Sequence, residues 1–422
     1  MITWQKGIAL IGVLGILVTW STLVDAQTSR LQQVESFDAR TWDFSKRLPL
    51  SGNWSVADNR LLSPESIQNE NLTTSFFPTI WNDQRPNGKG LGYATYALQV
   101  LLPDSLGPMA LEIPSMNTSY KVWVNNELVA SAGTVGSAKD ESTPQWVHKT
   151  ASITSTNDTL NIVLQLANFY HHKGGGGRNP IYLGKESNIK SHFSWALGSN
   201  ISEAIVLLLE GIVFLFVYRR MNKPVVLYFS LLCMTWSIRS IFSNLYPVVL
   251  VFPGFNWEWQ VKIEYLTLYL TGIWAALFVN KIFKENSNVL VTYLPIVLNV
   301  IFVIFTLLTP AIVFTRWISI YLGVEALVLF NAVVLIIRAL ITDRAGSWFL
   351  MSTIWIGVLL FGYDILAYQG SVPYNIVFLN VGYVLIFILT TIALLFHIGI
   401  FKSKSEEKDF LTYKDLYQSD KR

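Results

Sequence analysis

Ile201 to Arg220 reads ISEAIVLLLEGIVFLFVYRR, in which only Ser202, Glu203 and Glu210 interrupt the apolar run before Tyr218. A helix rises 1.5 Å per residue, so about 20 residues of this kind cross a hydrocarbon core of ~30 Å. Similar runs recur downstream and predict seven spans, near 196–217, 224–243, 260–280, 289–308, 317–338, 347–367 and 375–400. Across all 422 residues, 52% are hydrophobic and 14% charged, too apolar a balance for one soluble globule. The apolar excess begins only at about residue 194. A net charge of +3, with the basic residues gathered beside the spans, gives no reason to expect nucleic acid.

Those basic residues orient the bundle, because cytoplasmic loops collect Lys and Arg. Arg219, Arg220 and Lys223 follow the first span, Lys281 and Lys284 the third, Arg338 and Arg344 the fifth, and Lys402 and Lys404 the seventh. The alternate loops hold Lys262 and Arg316 with Trp257, Trp259 and Trp317, which suits an interfacial belt. The expectation is an outside N-terminal half and an inside C-terminus.

Before the spans, MITWQKGIALIGVLGILVTWSTLVDAQTS has a charged start at Lys6, an apolar core and a small-residue site after Ala26. It reads as a secretory signal over 1–26. The exported segment 27–190 contains no cysteine, since Cys233 lies in a span, so burial alone must hold it together. Strand alternation supplies the means. Tyr96, Leu98, Val100 and Leu102 share one face of one strand; Tyr120, Val122 and Val124 share another, followed by an Asn125-Asn126 turn; Leu160, Ile162, Leu164 and Leu166 form a third. The predicted fold is an all-β jelly-roll sandwich, then an all-α seven-helix transmembrane bundle over 194–401, then a cytoplasmic tail over 402–422.

LPLSGNWSVADNRLLSP, YATYALQVLLP, YKVWVNNELVASAGTVG and NIVLQLANFYHHKGGG follow one another in this order. Together they resemble the ectodomain of bacterial seven-transmembrane receptors with diverse intracellular signalling modules. WVNNELVASAG also resembles the galactose-binding-like jelly roll that precedes some glycosidase barrels. LYFSLLCMTWSIRSIFSN and WQVKIEYLTLYL, which carry Arg239 and Glu264, are similar to spans 2 and 3 of that receptor family. The resemblance implies an extracytoplasmic sensor of carbohydrate-like or other small molecules that reports through the helices to a kinase, cyclase or phosphatase output. Here only KSKSEEKDFLTYKDLYQSDKR follows the last span, too short to fold an enzyme. A separate cytoplasmic partner is therefore expected, met by a short helix bearing Phe410, Tyr413, Leu416 and Tyr417; the alternatives are a frayed charged tail or a chain truncated before an output domain.

The loop HHKGGGGRNP lacks the Gly-Lys-Ser/Thr ending of a phosphate loop, and it lies outside the cell. His171 and His172 are adjacent, so on a strand they point oppositely, and no third metal ligand is selected among His148, Asp140 and Glu141. No metal or cofactor is expected. The glycines read as a flexible hairpin whose backbone can approach a ligand, or as a solvated loop. Candidate ligand contacts are Trp123, Gln145, Trp146, Asn168, His171, His172 and Arg178, because sugars are held by aromatic faces flanked by amides and charges. For each tryptophan the alternative is a place in the sandwich core.

Inside the spans each polar side chain costs a few kcal/mol unless it is paired. Glu203, Glu210, Arg239, Glu264, Glu325, Asp364 and Asn380 are the candidates for a coupling network, with His397 at the inner end. Arg239 and Glu264 are predicted to pair, either as a register-fixing bridge or as part of a responsive crevice. A ligand-sensing receptor is the leading function. The alternatives are a transporter or ion pathway built on the carboxylates, and a carbohydrate-binding protein that the helices merely anchor. No span carries an arrangement of catalytic residues, so an enzyme is not expected.

Overall fold

The computed structural model describes residues 34–401 apart from 86–87, 105, 155–157, 178, 284–288, 343, 369–371 and 373. The expected signal peptide and the tail 402–422 lie outside the described residues.

Eleven strands precede the helices among the described residues: β1 (Ser36–Asp38), β2 (Leu48–Pro49), β3 (Gly52–Asp58), β4 (Thr73–Phe77), β5 (Gly92–Leu101), β6 (Met109–Ile113), β7 (Ser119–Val124), β8 (Glu127–Ala132), β9 (Lys149–Ile153), β10 (Thr159–Asn168) and β11 (Tyr182–Lys185). One sheet runs β4-β3-β5-β10-β7-β8, with β1 alongside β5, and the other runs β2-β11-β6-β9. The sandwich forms because the expected faces meet. Leu98 and Val100 of β5, Tyr120 and Val122 of β7, and Ile162 and Leu164 of β10 join Leu111 of β6 and Leu183 of β11 in one buried core. Asn125 and Asn126 take φ values of 47° and 72°, which closes the β7–β8 hairpin in the left-handed region that Asn tolerates.

Seven long helices follow among the described residues: α1 (Glu186–Met221), α2 (Pro224–Phe242), α3 (Trp257–Ile282), α4 (Val289–Leu308), α5 (Ile318–Ile341), α6 (Ser347–Tyr368) and α7 (Ile376–His397). Six are long and apolar enough to cross a membrane, and α4 adds a shorter apolar segment, Tyr293–Leu308. Each helix packs on the next in sequence, α7 closes back on α1, and α3 also touches α5. Along α1 the buried positions Ala196, Asn200, Glu203, Ala204, Leu207, Gly211 and Phe214 recur at three- and four-residue steps. Ile201, Ile205, Leu208, Leu209, Ile212 and Phe216 face outward, as a lipid-facing stripe must.

One feature departs from expectation. The first helix starts at Glu186, ten residues before the expected span, because β11 turns directly into it at Lys185. Its 36 residues make a rod of roughly 54 Å. Between α2 and α3 a short helix forms over Pro247–Val251. Tyr246, Val248 and Val249 of this segment enter the same core cluster as the sandwich, while Val251 and Phe252 remain exposed.

Candidate functional site

Sandwich and helices meet first at an aromatic seam. Trp146, only 6% exposed, lies with its ring centroid 5.2 Å from His171, 5.5 Å from Tyr246 and 5.5 Å from Trp257. Tyr170 meets Trp257 edge-on at 6.3 Å. Polar bonds stitch the rim. Gln260 of α3 donates Nε2 to the Trp146 carbonyl at 3.3 Å, and the His172 amide donates to Thr315 Oγ1 at 3.2 Å. The Gln145 Nε2 donates to the Pro253 carbonyl at 3.4 Å. Trp257 and Gln260 belong to the start of α3, and Thr315 to the segment between α4 and α5.

Hydrogen bonding at this seam is incomplete. Among the described residues, Trp146 Nε1, Trp257 Nε1 and His171 Nε2 are buried with no hydrogen-bond partner. His171 Nδ1 lies 3.1 Å from the Lys173 amide and 2.9 Å from its carbonyl, so that nitrogen is satisfied in either tautomer. Burial pushes the His171 imidazole down to about 4, against a smaller upward effect of the Lys173 backbone.

Behind the seam stands a scaffold that was expected to be a pocket rim. Asn168 is fully buried, and its Nδ2 donates to the carbonyls of Gly90 and His171, each at 2.7 Å. The tetraglycine run is neither a flexible hairpin nor a solvated loop. A Cβ on Gly174 would stand 1.8 Å from the Gly90 carbonyl oxygen, and one on Gly176 would stand 2.1 Å from the Phe77 ring. Gly175 bridges to both Ile80 and Asn117. The glycines are there because backbone lies flush on Trp81 and Phe77.

A second seam lies along α1. Glu112 of β6 is 3% exposed, and its carboxylate meets Arg47 Nη1 at 2.5 Å, His148 Nε2 at 3.1 Å and His192 Nδ1 at 3.2 Å. Burial alone would raise the Glu112 carboxyl. The contacts from His148 and His192 and the charge of Arg47 more than reverse that and hold it well below the usual carboxylate range. Arg47 also stacks over Tyr182 at 4.3 Å, and His148 stacks on Phe193 at 5.4 Å. Ser152 Oγ donates to Glu186 Oε1 at 2.7 Å, and Asn188 Nδ2 donates to the Ser45 carbonyl at 3.0 Å. Thus α1 is bolted to the second sheet before it reaches the apolar region.

Within the bundle, Trp236 Nε1 donates to Glu203 Oε1 at 2.9 Å, and Asn200 Nδ2 donates to the Ser240 carbonyl at 3.0 Å. With its amide turned to suit its neighbours, Asn380 donates to Glu203 Oε2 at 3.1 Å, which joins α1, α2 and α7. Thr391 donates to Glu210. Arg239 reaches Glu264 through the main chain, its Nη1 donating to the carbonyl at 2.8 Å. Tyr321 donates to Glu325 and lies 3.1 Å from Asn299 Oδ1 of α4. Asp364 sits half-buried on α6.

Gln145, Trp146, His171 and His172 therefore gather at one seam, and Asn168 stands behind them. Trp123 lies apart, half-buried against the Ala57, Ala97 and Val163 cluster of the first sheet. Arg178 lies outside the described residues. Glu112, Arg47 and His192 carry no signal in the sequence pattern, and Asn200 had the same signal as Glu203, a polar side chain within a span.

Residues 204–399 match the family described as 7TM diverse intracellular signalling. No curated protein matches the chain. Among solved structures, a GH2 β-galacturonidase from Eisenbergiella tayi bound to glycerol is similar at 14% identity over 33% of this chain and 24% of its own, with a TM-score of 0.26. A β-glucuronidase from Faecalibacterium prausnitzii is similar at 15% identity over 33% of this chain and 31% of its own, with a TM-score of 0.24. A Ruminococcus gnavus β-glucuronidase is similar at 13% identity over 39% of this chain and 30% of its own, with a TM-score of 0.25. The chain spans about a quarter to a third of the length of these structures.

Proposed function

We propose that this chain, whose helical half matches the 7TM diverse intracellular signalling family, is a bacterial inner-membrane receptor. Its sandwich lies outside, senses a carbohydrate or another small polar molecule, and relays the event through the helices. The basic residues that follow the first, third, fifth and seventh spans support a cytoplasmic C-terminus. The relay ends on a cytoplasmic signalling output, such as a kinase or a cyclase.

The observation that carries this reading is the double attachment of the sandwich. One seam is a continuous helix clamped by a buried ion cluster, and the other is a contact of rings with three orphaned nitrogens. A domain held rigidly on one side and less completely on the other can tilt, and tilting moves the starts of α3 and α5 relative to α1. In the bundle, Glu203, Glu210 and Glu325 each meet a donor from an indole or hydroxyl, which favours helix register over an ion pathway.

Hydrogen exchange on the full chain in nanodiscs tests the relay without a ligand. Trp146→Ala should change exchange at the far ends of the bundle, around Arg219–Lys223 and Lys281, as well as at the seam. If the change stops at the sandwich and its adjoining loops, the helices are only an anchor and the receptor reading fails. A reporter fused after Phe401 checks the orientation, and an extracytoplasmic signal there would overturn it.

A further inference from the structure

The receptor reading leaves open where a ligand sits. A shallow, open cleft of about 400 Å³ lies on the junction itself, beside the aromatic seam. Ser131, Gly133, Thr134, Thr143 and Lys149 line its sandwich side, and Pro253 to Phe255 of the α2–α3 loop line the other. Its volume falls within the ~300–1,000 Å³ range of small-molecule sites.

The sandwich wall is close-packed. Gly133 takes φ +62°, and a Cβ there would come 2.1 Å from the Thr143 carbonyl, so the two loop segments press together without a side chain between them. Gln145 spans the junction, its Oε1 accepting from the Gly133 amide at 3.0 Å while its Nε2 reaches Pro253. Lys149 is the one charged side chain in the lining, half-buried, with Nζ donating to the Ser131 carbonyl at 2.5 Å. An ammonium has three donors, so two remain for a ligand. Around it stand the hydroxyls of Ser131, Thr134 and Thr143, with Phe255 as an apolar surface.

We infer that this cavity is the ligand site of the receptor and that its occupant is a small anionic polyol, such as a sugar acid, with the carboxylate on Lys149 and hydroxyls on the Thr134, Thr143 and Gln145 side. The inference rests on the receptor reading and deepens it. Phe255 packs on Phe242, the last residue of α2, at 5.4 Å, and Asn256 caps α3 by accepting from the Trp259 amide at 3.1 Å. A ligand seated between Lys149 and Phe255 therefore touches the sandwich and the junction of α2 with α3 at once. It competes for the Gln145–Pro253 bond, the weakest polar stitch of the seam by length.

The test is calorimetric titration of D-glucuronate and D-glucose into the purified full chain. Glucuronate should bind more tightly than glucose. Lys149→Met should weaken glucuronate about tenfold, the effect of one charge-assisted bond, and bring its affinity down to that of glucose. Gly254→Trp, at a position where an added side chain meets open space, should fill the cavity from the membrane side and abolish binding while the thermal transition is retained. Glucuronate binding that neither variant alters would overturn the site but leave the receptor reading standing. An absence of glucuronate binding, or equal binding of glucose, would overturn the anionic class. Failure of the relay itself is read separately, by the exchange experiment above.

Discussion

The sandwich grips the helices twice, and the two grips differ in kind. Along α1 the contact is covalently continuous, and it is locked by a carboxylate that three basic side chains surround. At the α3 entrance it is aromatic, and among the described residues three of its ring nitrogens find no protein partner. A buried ion cluster tolerates little displacement, since charge separated in a dry interior loses its compensation. Rings tolerate sliding, because dispersion and edge-to-face contacts have many near-equivalent geometries. The difference teaches which side can move: α1 is the fulcrum and the aromatic seam is the travelling edge.

The contrast can be broken from either side. Glu112→Ala should have the largest effect, about 3–5 kcal/mol, because Arg47 is left buried without its anion. Thermal unfolding of the purified chain measures it, and a loss under about 1 kcal/mol would mean that the clamp is not a clamp. Trp146→Ala should cost somewhat less, about 3–4 kcal/mol, as a large ring leaves a partly collapsible contact. It should also split the unfolding transition, with the sandwich and bundle melting separately, whereas Glu112→Ala should lower a single transition.

Acidification sharpens the same contrast, because the two grips fail in different windows. His171 is held below its ordinary value, so folding favours the neutral ring; the stability this gives is complete above about 6.5 and is lost as pH falls toward about 4. The effect at His171 is about 3 kcal/mol, and His171→Leu should remove most of the pH dependence in that window, the remainder coming from His172, which burial also holds below its ordinary value. Glu112 is also depressed, so its contribution is present above the unfolded carboxyl value of about 4.3 and declines only below that. Between pH 6.5 and 4.5 the aromatic seam should loosen while the α1 seam holds. Exchange protection lost first along Phe44–Glu112 and α1 would reverse the assignment of fulcrum and edge.

Much of this was legible in the sequence, and the part that was not has a physical reason. The inward faces of β5, β7 and β10 follow from alternation because each has one face on the main core. The spans follow from length and apolarity, and Glu203 and Asn380 from the rarity of polar groups in lipid. Glu112 stayed hidden because MALEI reads as a buried strand with one stray charge, and its partners Arg47 and His148 lie 65 and 36 residues away. Periodicity carries no information about such pairings. The tetraglycine misleads for a related reason: a missing Cβ serves a flexible loop and a tightly pressed one equally well. Trp146 and Gln145 stood out in the sequence as candidate ligand contacts, but not as a junction, since nothing in their neighbourhood records that Tyr246, Trp257 and Pro253 will face them.

The smallest effect probes the travelling edge most directly. Thr315 is 1% exposed, and its Oγ1 accepts from the His172 amide at 3.2 Å while donating to the Ala311 carbonyl at 2.7 Å. Thr315→Val keeps the shape and deletes the hydroxyl, so the His172 amide loses its partner across the seam. A neutral hydrogen bond of this kind is worth about 1 kcal/mol, or roughly fivefold in an equilibrium. The His172 amide should then exchange about fivefold faster, with the melting temperature barely changed. Ser152→Ala, which deletes the exposed Ser152–Glu186 bond on the α1 side, is the matched control. On a fixed seam the amide gains little from losing an acceptor, because no opening motion exposes it. If Thr315→Val leaves His172 protected as fully as Ser152→Ala leaves its neighbours, both seams are rigid, and a tilt about α1 cannot be how the sandwich addresses the membrane.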